Sequence, residues 1–215
     1  MQLLLCAATA AEIEPSVAVW KQAANKKVDC LITGVGLMAT TWSLQQQLHQ
    51  KKYDYVLQAG VAGSFDSQLA PGAVAVVGKD GVGDEGVWEE GRFKSLSQLG
   101  LRSDAPPYSN GWLHNPDPVL ERFGLPAVAA TTVNNISTDE AMIRHLTHMG
   151  ARLESMEGAA LHFVCLQMGV PFLQLRAVSN AVGERNKKHW NMPAAINSLN
   201  TALLRIINTL LHEQD

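Results

Sequence analysis

Short, almost wholly apolar runs recur along this chain, each closed by glycine, proline or small polar residues. They span Leu3 to Ala8, Val28 to Thr33, Tyr53 to Gln58, Ala73 to Val77, Ala127 to Val133 and Phe172 to Leu175. Strands apolar at nearly every position must be covered on both faces, which a sheet between helices provides. Helical stretches lie between them: about Leu37 to His49, Asp139 to Met149, and an apolar one through Leu161, Val164, Cys165 and Met168 to Gly169. A last helix starts near Pro193, with Ile196, Leu199, Leu203, Ile206 or Ile207, and Leu210 on one face. This order predicts an α/β fold with a mixed central β-sheet flanked by helices. At 215 residues the chain reads as a single domain over 1–215. From 78 to 126 the pattern fades among Gly81, Gly83, Gly86, Gly91, Pro106, Pro107, Pro116 and Pro118. A stretch that long without a pattern is usually functional or inserted. It is read as an irregular excursion from the core, a lid or a subunit contact.

Charge and composition remove several function classes. A formal net charge of −3 offers no basic stripe for nucleic acid. No apolar run reaches the roughly 18 residues of a membrane helix. Leu3-Leu4-Leu5-Cys6 superficially matches a lipoprotein cleavage site, yet it lacks a basic leader and is too short for a secretory signal. Cys6, Cys30 and Cys165 are odd in number and lie in apolar settings, so they read as small core residues in a reducing cytoplasm. His145 and His148 could share a metal from one helix, but no third ligand follows at metal-site spacing. They are read as surface histidines, and no metal or cofactor is expected.

The stretch from Glu154 to Asn180 carries the chemistry. An acidic turn, Glu154-Ser155-Met156-Glu157, opens a helix, and Pro171 restarts the chain as a strand ending in Arg176-Ala177-Val178-Ser179-Asn180. A strand ending in polar residues beside a helix that begins with an acid forms the ligand crevice of open α/β sheets. Glu157 in the first helical turn sits in the positive field of the helix end and stays ionised. Such a carboxylate accepts from two adjacent hydroxyls, as on a ribose. The residues alone leave open an acid that only favours helix initiation. Gly34-Val35-Gly36-Leu37-Met38-Ala39 fits a dinucleotide fingerprint weakly. The ribose-binding acid should lie at the far end of the next strand, where Gln58 stands, while Asp54 lies near its start.

Ser155-Met156-Glu157-Gly158-Ala159-Ala160 followed by Arg176-Ala177-Val178-Ser179-Asn180 resembles the paired signature of the nucleoside phosphorylase and nucleosidase superfamily. The continuation Ala181-Val182-Gly183-Glu184-Arg185, then Trp190, is most similar to its futalosine hydrolases, of menaquinone biosynthesis. The resemblance implies a phosphorylase-like fold, a cytoplasmic homo-oligomer and a small-molecule nucleoside substrate, with neither nucleic acid nor membrane as partner. It implies that Glu12 orients and deprotonates water, that Met156 and Glu157 bind ribose, and that Asn180 holds the leaving purine. Gly60, Ser155, Arg176, Ser179 and Arg185 are implied as substrate-binding, and Gly34 to Gly36 as a tight turn near the site. Taken without the resemblance, Glu12 is equally a helix-capping acid. Anionic Glu157 would stabilise oxocarbenium charge as the N-ribosidic bond breaks. Adenine-specific relatives carry aspartate where Asn180 stands, and an amide cannot act as an acid, which points to hypoxanthine as leaving group. The phosphorylases carry a glycine-aspartate-proline loop and arginines that Ala7 to Ile13 and Ala59 to Ser64 lack, so water is the expected nucleophile. Arg185, Lys187, Lys188 and His189 read either as a solvated loop or as cations meeting a substrate carboxylate. The futalosine hydrolases usually show arginine-aspartate-arginine there, from which Asn186 and Lys187 depart. The alternatives are another purine nucleosidase, of aminodeoxyfutalosine or methylthioadenosine type, and a nucleoside-binding protein without turnover, against which Glu12 argues.

Overall fold

Alternation along the strands decides what each face of the sheet meets. In the structure, a computed structural model describing residues 1–22, 27–183 and 186–212, Leu3, Leu5 and Ala7 of β1 (Leu3–Ala7) join one core cluster, and Leu4 and Cys6 join another. The chain continues through α1 (Ala10–Gln22), β2 (Val28–Ile32), α2 (Leu37–Gln50), β3 (Tyr55–Ser64) and β4 (Val74–Asp80). Two hairpins follow, β5 (Gly86–Glu89) with β6 (Arg92–Ser95) and β7 (Tyr108–Ser109) with β8 (Trp112–His114). Then come β9 (Ala127–Thr132), α3 (Glu140–His148), β10 (Leu153–Ser155), α4 (Gly158–Met168), β11 (Phe172–Ala181) and α5 (Met192–His212).

The first cluster packs Ile13 and Trp20 of α1 and Leu199, Leu203, Ile206 and Ile207 of α5 against β1, β3 and β11. The second packs Leu44 and Leu48 of α2 and Leu161 and Cys165 of α4 against the opposite side. The sheet is mixed. β2, β1, β3 and β11 are parallel neighbours, as are β10, β9 and β4, while β3–β10 and β4–β11 pair antiparallel. β3, β10, β9, β4 and β11 therefore pair in a closed circuit, removing the edges of those strands. The expected α/β class holds, and no helix among the described residues is long and apolar enough to cross a membrane.

Several local expectations are corrected. β3 does not stop at Gln58: its glycine-rich half pairs with Arg176 to Ala181, the expected end of the last strand. Glycine reads locally as a breaker, but here β11 supplies ladder partners along this half and β10 joins it at Gly63 and Ser64. Glu154 and Ser155 lie in β10, not in a turn. α1, which carries Pro15, adds a helix to those expected. The stretch 78–126 holds the end of β4, short strands and a 3-10 turn (Pro118–Glu121), with Trp112 and Leu113 buried. Cys6 and Cys165 are buried, but Cys30 is exposed because β2 is an edge strand. His148 is exposed, whereas His145 is partly buried with its ring centroid 4.5 Å from that of Phe93.

Candidate active site

The C-terminal ends of the parallel strands β1, β3 and β11 meet the start of α4 around one cavity of about 260 Å³. Such crevices open where parallel strands end and helices begin. Thr9, Glu12, Val61, Ser137, Glu154, Ser155, Met156, Glu157, Ser179, Asn180 and Trp190 are among the residues lining it. Glu12 lies in the first turn of α1 and is buried. Its Oε2 accepts from the Thr9 N–H (2.9 Å) and Thr9 Oγ1 (3.0 Å), and its Oε1 from the Val61 N–H (3.1 Å). The Thr9 contact is half of a capping box, so the capping reading and the site reading are both realised by one carboxylate. Asn200 of α5 anchors this turn, donating to the Glu12 carbonyl (2.8 Å) and accepting from Ser16 Oγ (2.6 Å).

Glu157 occupies the N-cap position of α4 without making a side-chain cap. Its carboxylate turns toward the site instead: Oε1 accepts from the Gly36 N–H (3.2 Å), and Arg176 Nη1 lies 3.4 Å from Oε2. The Gly34 to Gly36 turn, with φ of 82° at Gly34 and 95° at Gly36, thus delivers a backbone donor to the acid. Arg176, expected as a substrate contact, is almost wholly buried and lies behind Glu157. Its Nη2 donates to Gln58 Oε1 (2.9 Å) and its Nη1 to the Val61 carbonyl (3.3 Å). Strand alternation explains this placement. Leu173, Leu175 and Ala177 join the α1/α5 cluster, which leaves Gln174 and Arg176 directed to the α4 side. Gly60 is likewise a spacer: a Cβ there would lie 2.5 Å from Arg176 Nη1 and 3.1 Å from Glu12 Oε1.

Ser155 and Met156 line the cavity, and Ser155 Oγ accepts from the Gly158 N–H (3.3 Å). Ser179 Oγ lies 2.7 Å from Asn180 Oδ1 and 3.2 Å from the Ala62 carbonyl. Its hydroxyl engages the amide oxygen, so Nδ2 is the atom of Asn180 left to donate, at present to the Ala181 carbonyl at 2.8 Å. Arg185 lies outside the described residues. Three features escaped sequence reasoning: the Asn200 anchor, Gln58 as partner of Arg176, and a buried set of Asp80, Thr132 and Gln174 beneath α4 with His162 of α4 itself. Only polar residues interrupting apolar strands, such as Gln58 and Gln174, hinted at them. Burial pushes the Asp80 carboxyl up to about 6 against the opposing hydrogen bonds of Gln174 and Thr132. Burial likewise lowers the His162 imidazole to about 4, and His162 Nδ1 lies 2.9 Å from the Leu113 carbonyl.

The sequence model of the Phosphorylase superfamily matches residues 19–212. The chain belongs to this superfamily. Within it, the chain is 29% identical over 184 residues to the futalosine hydrolase of Thermus thermophilus, covering 82% of this chain and 80% of that protein. It is 29% identical over 171 residues to the futalosine hydrolase of Streptomyces coelicolor, covering 76% and 69%. Among solved structures, a point mutant of Helicobacter pylori MTAN with 5′-methylthioadenosine in its active site superposes with a TM-score of 0.82 at 17% identity, over 97% of this chain and 98% of that one. The native futalosine hydrolase of Helicobacter pylori superposes with a TM-score of 0.79 at 18% identity, over the same shares. At these identities the structural likeness concerns the fold.

Proposed function

We propose that this superfamily member hydrolyses the N-ribosidic bond of futalosine, releasing hypoxanthine and dehypoxanthinyl futalosine. The observation that carries the reading is the charge of the cavity. Glu12, Glu154 and Glu157 all line it, and no Lys, Arg or His does among its described lining residues. Carboxylates repel phosphate and favour a neutral nucleophile and a cationic transition state. The relatives named futalosine hydrolase support the same reaction.

In this scheme water attacks C1′, and Glu12, held from two sides, takes its proton. The C1′–N9 bond breaks with its electrons leaving on the purine, which Asn180 Nδ2 meets by a hydrogen bond. The proton passes to the base and the new hydroxyl stays on the sugar. Glu157 accepts from the ribose hydroxyls beside Met156 and stabilises the oxocarbenium charge. Arg176 orients Glu157 rather than touching substrate. Arg185 is proposed to meet the distal carboxylate of the substrate. The chain is proposed to act as one cytoplasmic nucleosidase domain, with 78–126 as a lid or subunit contact. Exposed Val35, Met38 and Trp42, on one side of the α2 start, favour a homo-oligomer.

The test is incubation with futalosine, inosine and methylthioadenosine, each with and without phosphate. Hypoxanthine release from futalosine at a phosphate-independent rate is expected. A sugar 1-phosphate product, or no release, overturns the reading.

A further inference from the structure

Glu154 brings a carboxylate into the cavity that the reaction above does not use. It is 5% exposed, and its Oε1 accepts from the Ser137 N–H at 3.1 Å. Its other oxygen, Oε2, and Ser137 Oγ are buried polar atoms with no partner at full hydrogen-bond geometry, and burial raises the Glu154 carboxyl against its contacts with Ser137. Both residues line the cavity. A buried acceptor is rarely left empty in a native fold unless something else supplies its donor.

Strand register shows where that donor would come from. Glu154 pairs with Gly63 across β10 and β3, and Gly63 pairs with Asn180 across β3 and β11. Residues in register on neighbouring strands face the same side. The backbones that carry the carboxylate and the amide therefore stand two strand spacings apart, about 10 Å, with the side-chain-free Gly63 between them and a register shift between Val178 and Asn180. A Cβ at Gly63 would lie 2.9 Å from Val182 Cγ2 and 3.6 Å from Asn180 Nδ2, so glycine leaves room there for the Val182 side chain and the Asn180 amide, all three lining the cavity. A flat ring bonded at both edges, by hydrogen bonds of about 2.8 Å each, fills such a gap.

We propose that Glu154 is the specificity residue for the six-membered ring of the base, its Oε2 accepting the N1–H of a 6-oxopurine whose other edge meets Asn180. The proposal rests on the nucleosidase reading above and deepens it. A 6-oxopurine carries hydrogen on N1, whereas a 6-aminopurine carries a lone pair there. An ionised carboxylate accepts from the first and repels the second. Asn180 does not read N1: Ser179 Oγ holds its oxygen, and its Nδ2 meets the opposite edge of the base. The competing role for Glu154 is that of a loop clamp. Asp84 already clamps the same loop, accepting from the Asn134 N–H (2.7 Å) and the Asn135 N–H (3.1 Å). A clamp on Ser137 needs only one carboxylate oxygen, and glutamine supplies one.

The decisive experiment measures dissociation constants of free hypoxanthine and free adenine by calorimetry, for the full chain and for Glu154→Gln. The variant should lose about 10- to 100-fold in hypoxanthine affinity, as expected for a hydrogen bond to a charged group, and should hold adenine as well as the parent or better. With futalosine the loss should fall on KM, with kcat nearly kept. Equal losses for both bases, no loss, or no preference in the parent would overturn the assignment. If Glu154→Gln does not fold, Glu154→Asp, which withdraws the oxygen from the base, should shift the ratio in the same direction. Parent turnover of futalosine is scored separately. Base discrimination without turnover sinks the nucleosidase reading alone, and turnover with an unchanged base ratio sinks the Glu154 assignment alone.

Discussion

Glu12 shows how little a residue's local role says about its chemistry. Its Oε2 caps the turn at Thr9 as any first-turn acid does, while its Oε1 is held at the Val61 N–H beside the cavity. A base must be held within reach of its water, and this carboxylate is fixed by strand, helix and loop together. Glu12→Gln keeps the shape and one acceptor oxygen but cannot take a proton. It should lower kcat on futalosine by roughly 10²–10⁴-fold with little change in KM, measured by steady-state hypoxanthine release. Near-normal kcat in a folded variant would remove Glu12 from the mechanism. Arg176 makes the opposite point. Its cation suggested a substrate contact, yet Gln58, the Val61 carbonyl and Glu157 surround its guanidinium.

At the scale of elements, the start of α4 is capped by its neighbours. Thr132 Oγ1 of β9 accepts from the Ala159 N–H (2.7 Å), and Ser155 Oγ from the Gly158 N–H (3.3 Å). These caps leave Glu157, at the N-cap position, free to face Gly36 and the cavity. Thr132 also donates to Asp80 Oδ1 at 2.9 Å, so one hydroxyl joins two strands to the helix. Gly158 permits the approach, since a Cβ there would run into Asp80 Oδ2 and Gln174 Nε2. Thr132→Val, similar in shape, strands the Ala159 N–H and deprives Asp80 of a donor. It should lower stability by about 1–3 kcal/mol, read from urea midpoints at constant slope. An unchanged midpoint would mean that the helix start is capped in another way.

Across the whole molecule, two buried groups, Asp80 of β4 and His162 of α4, make opposing demands as pH changes. The folded pKa of Asp80, about 6, lies above its ordinary 3.8. Its contribution is therefore full below 3.8 and lost as pH rises through about 6. That of His162, about 4, lies below its ordinary 6.5, so its contribution is full above 6.5 and lost as pH falls through about 4. Between these limits the two slopes oppose each other. Asp80→Asn removes one of them, and Gln174, whose Oε1 has no partner, can turn that oxygen to the new amide. Relative to the parent, the variant should lose on the order of 2 kcal/mol between pH 6 and pH 4.5, measured by urea unfolding at both values. A parallel pH dependence in the two proteins would show that Asp80 does not titrate in this window.

The apolar runs and their helical separators sufficed for the α/β class, because strands buried on both faces leave a one-dimensional trace. Glu157 at a helix start and Ser179-Asn180 at a strand end were legible locally, while Met156 came with the resemblance; all four line the cavity. The rest depended on contacts between residues far apart in the chain. Ala59 to Gly63 reads as the close of a strand until β11 pairs with it, and the ligand contact that the resemblance implies for Arg176 meets an alternation along β11 that carries it behind Glu157. Glu154 reads as part of an acidic turn until β3 sets it across Gly63 from Asn180. Periodicity records which side a residue faces. What waits on that side is decided by strand register, which brings together residues no local pattern connects.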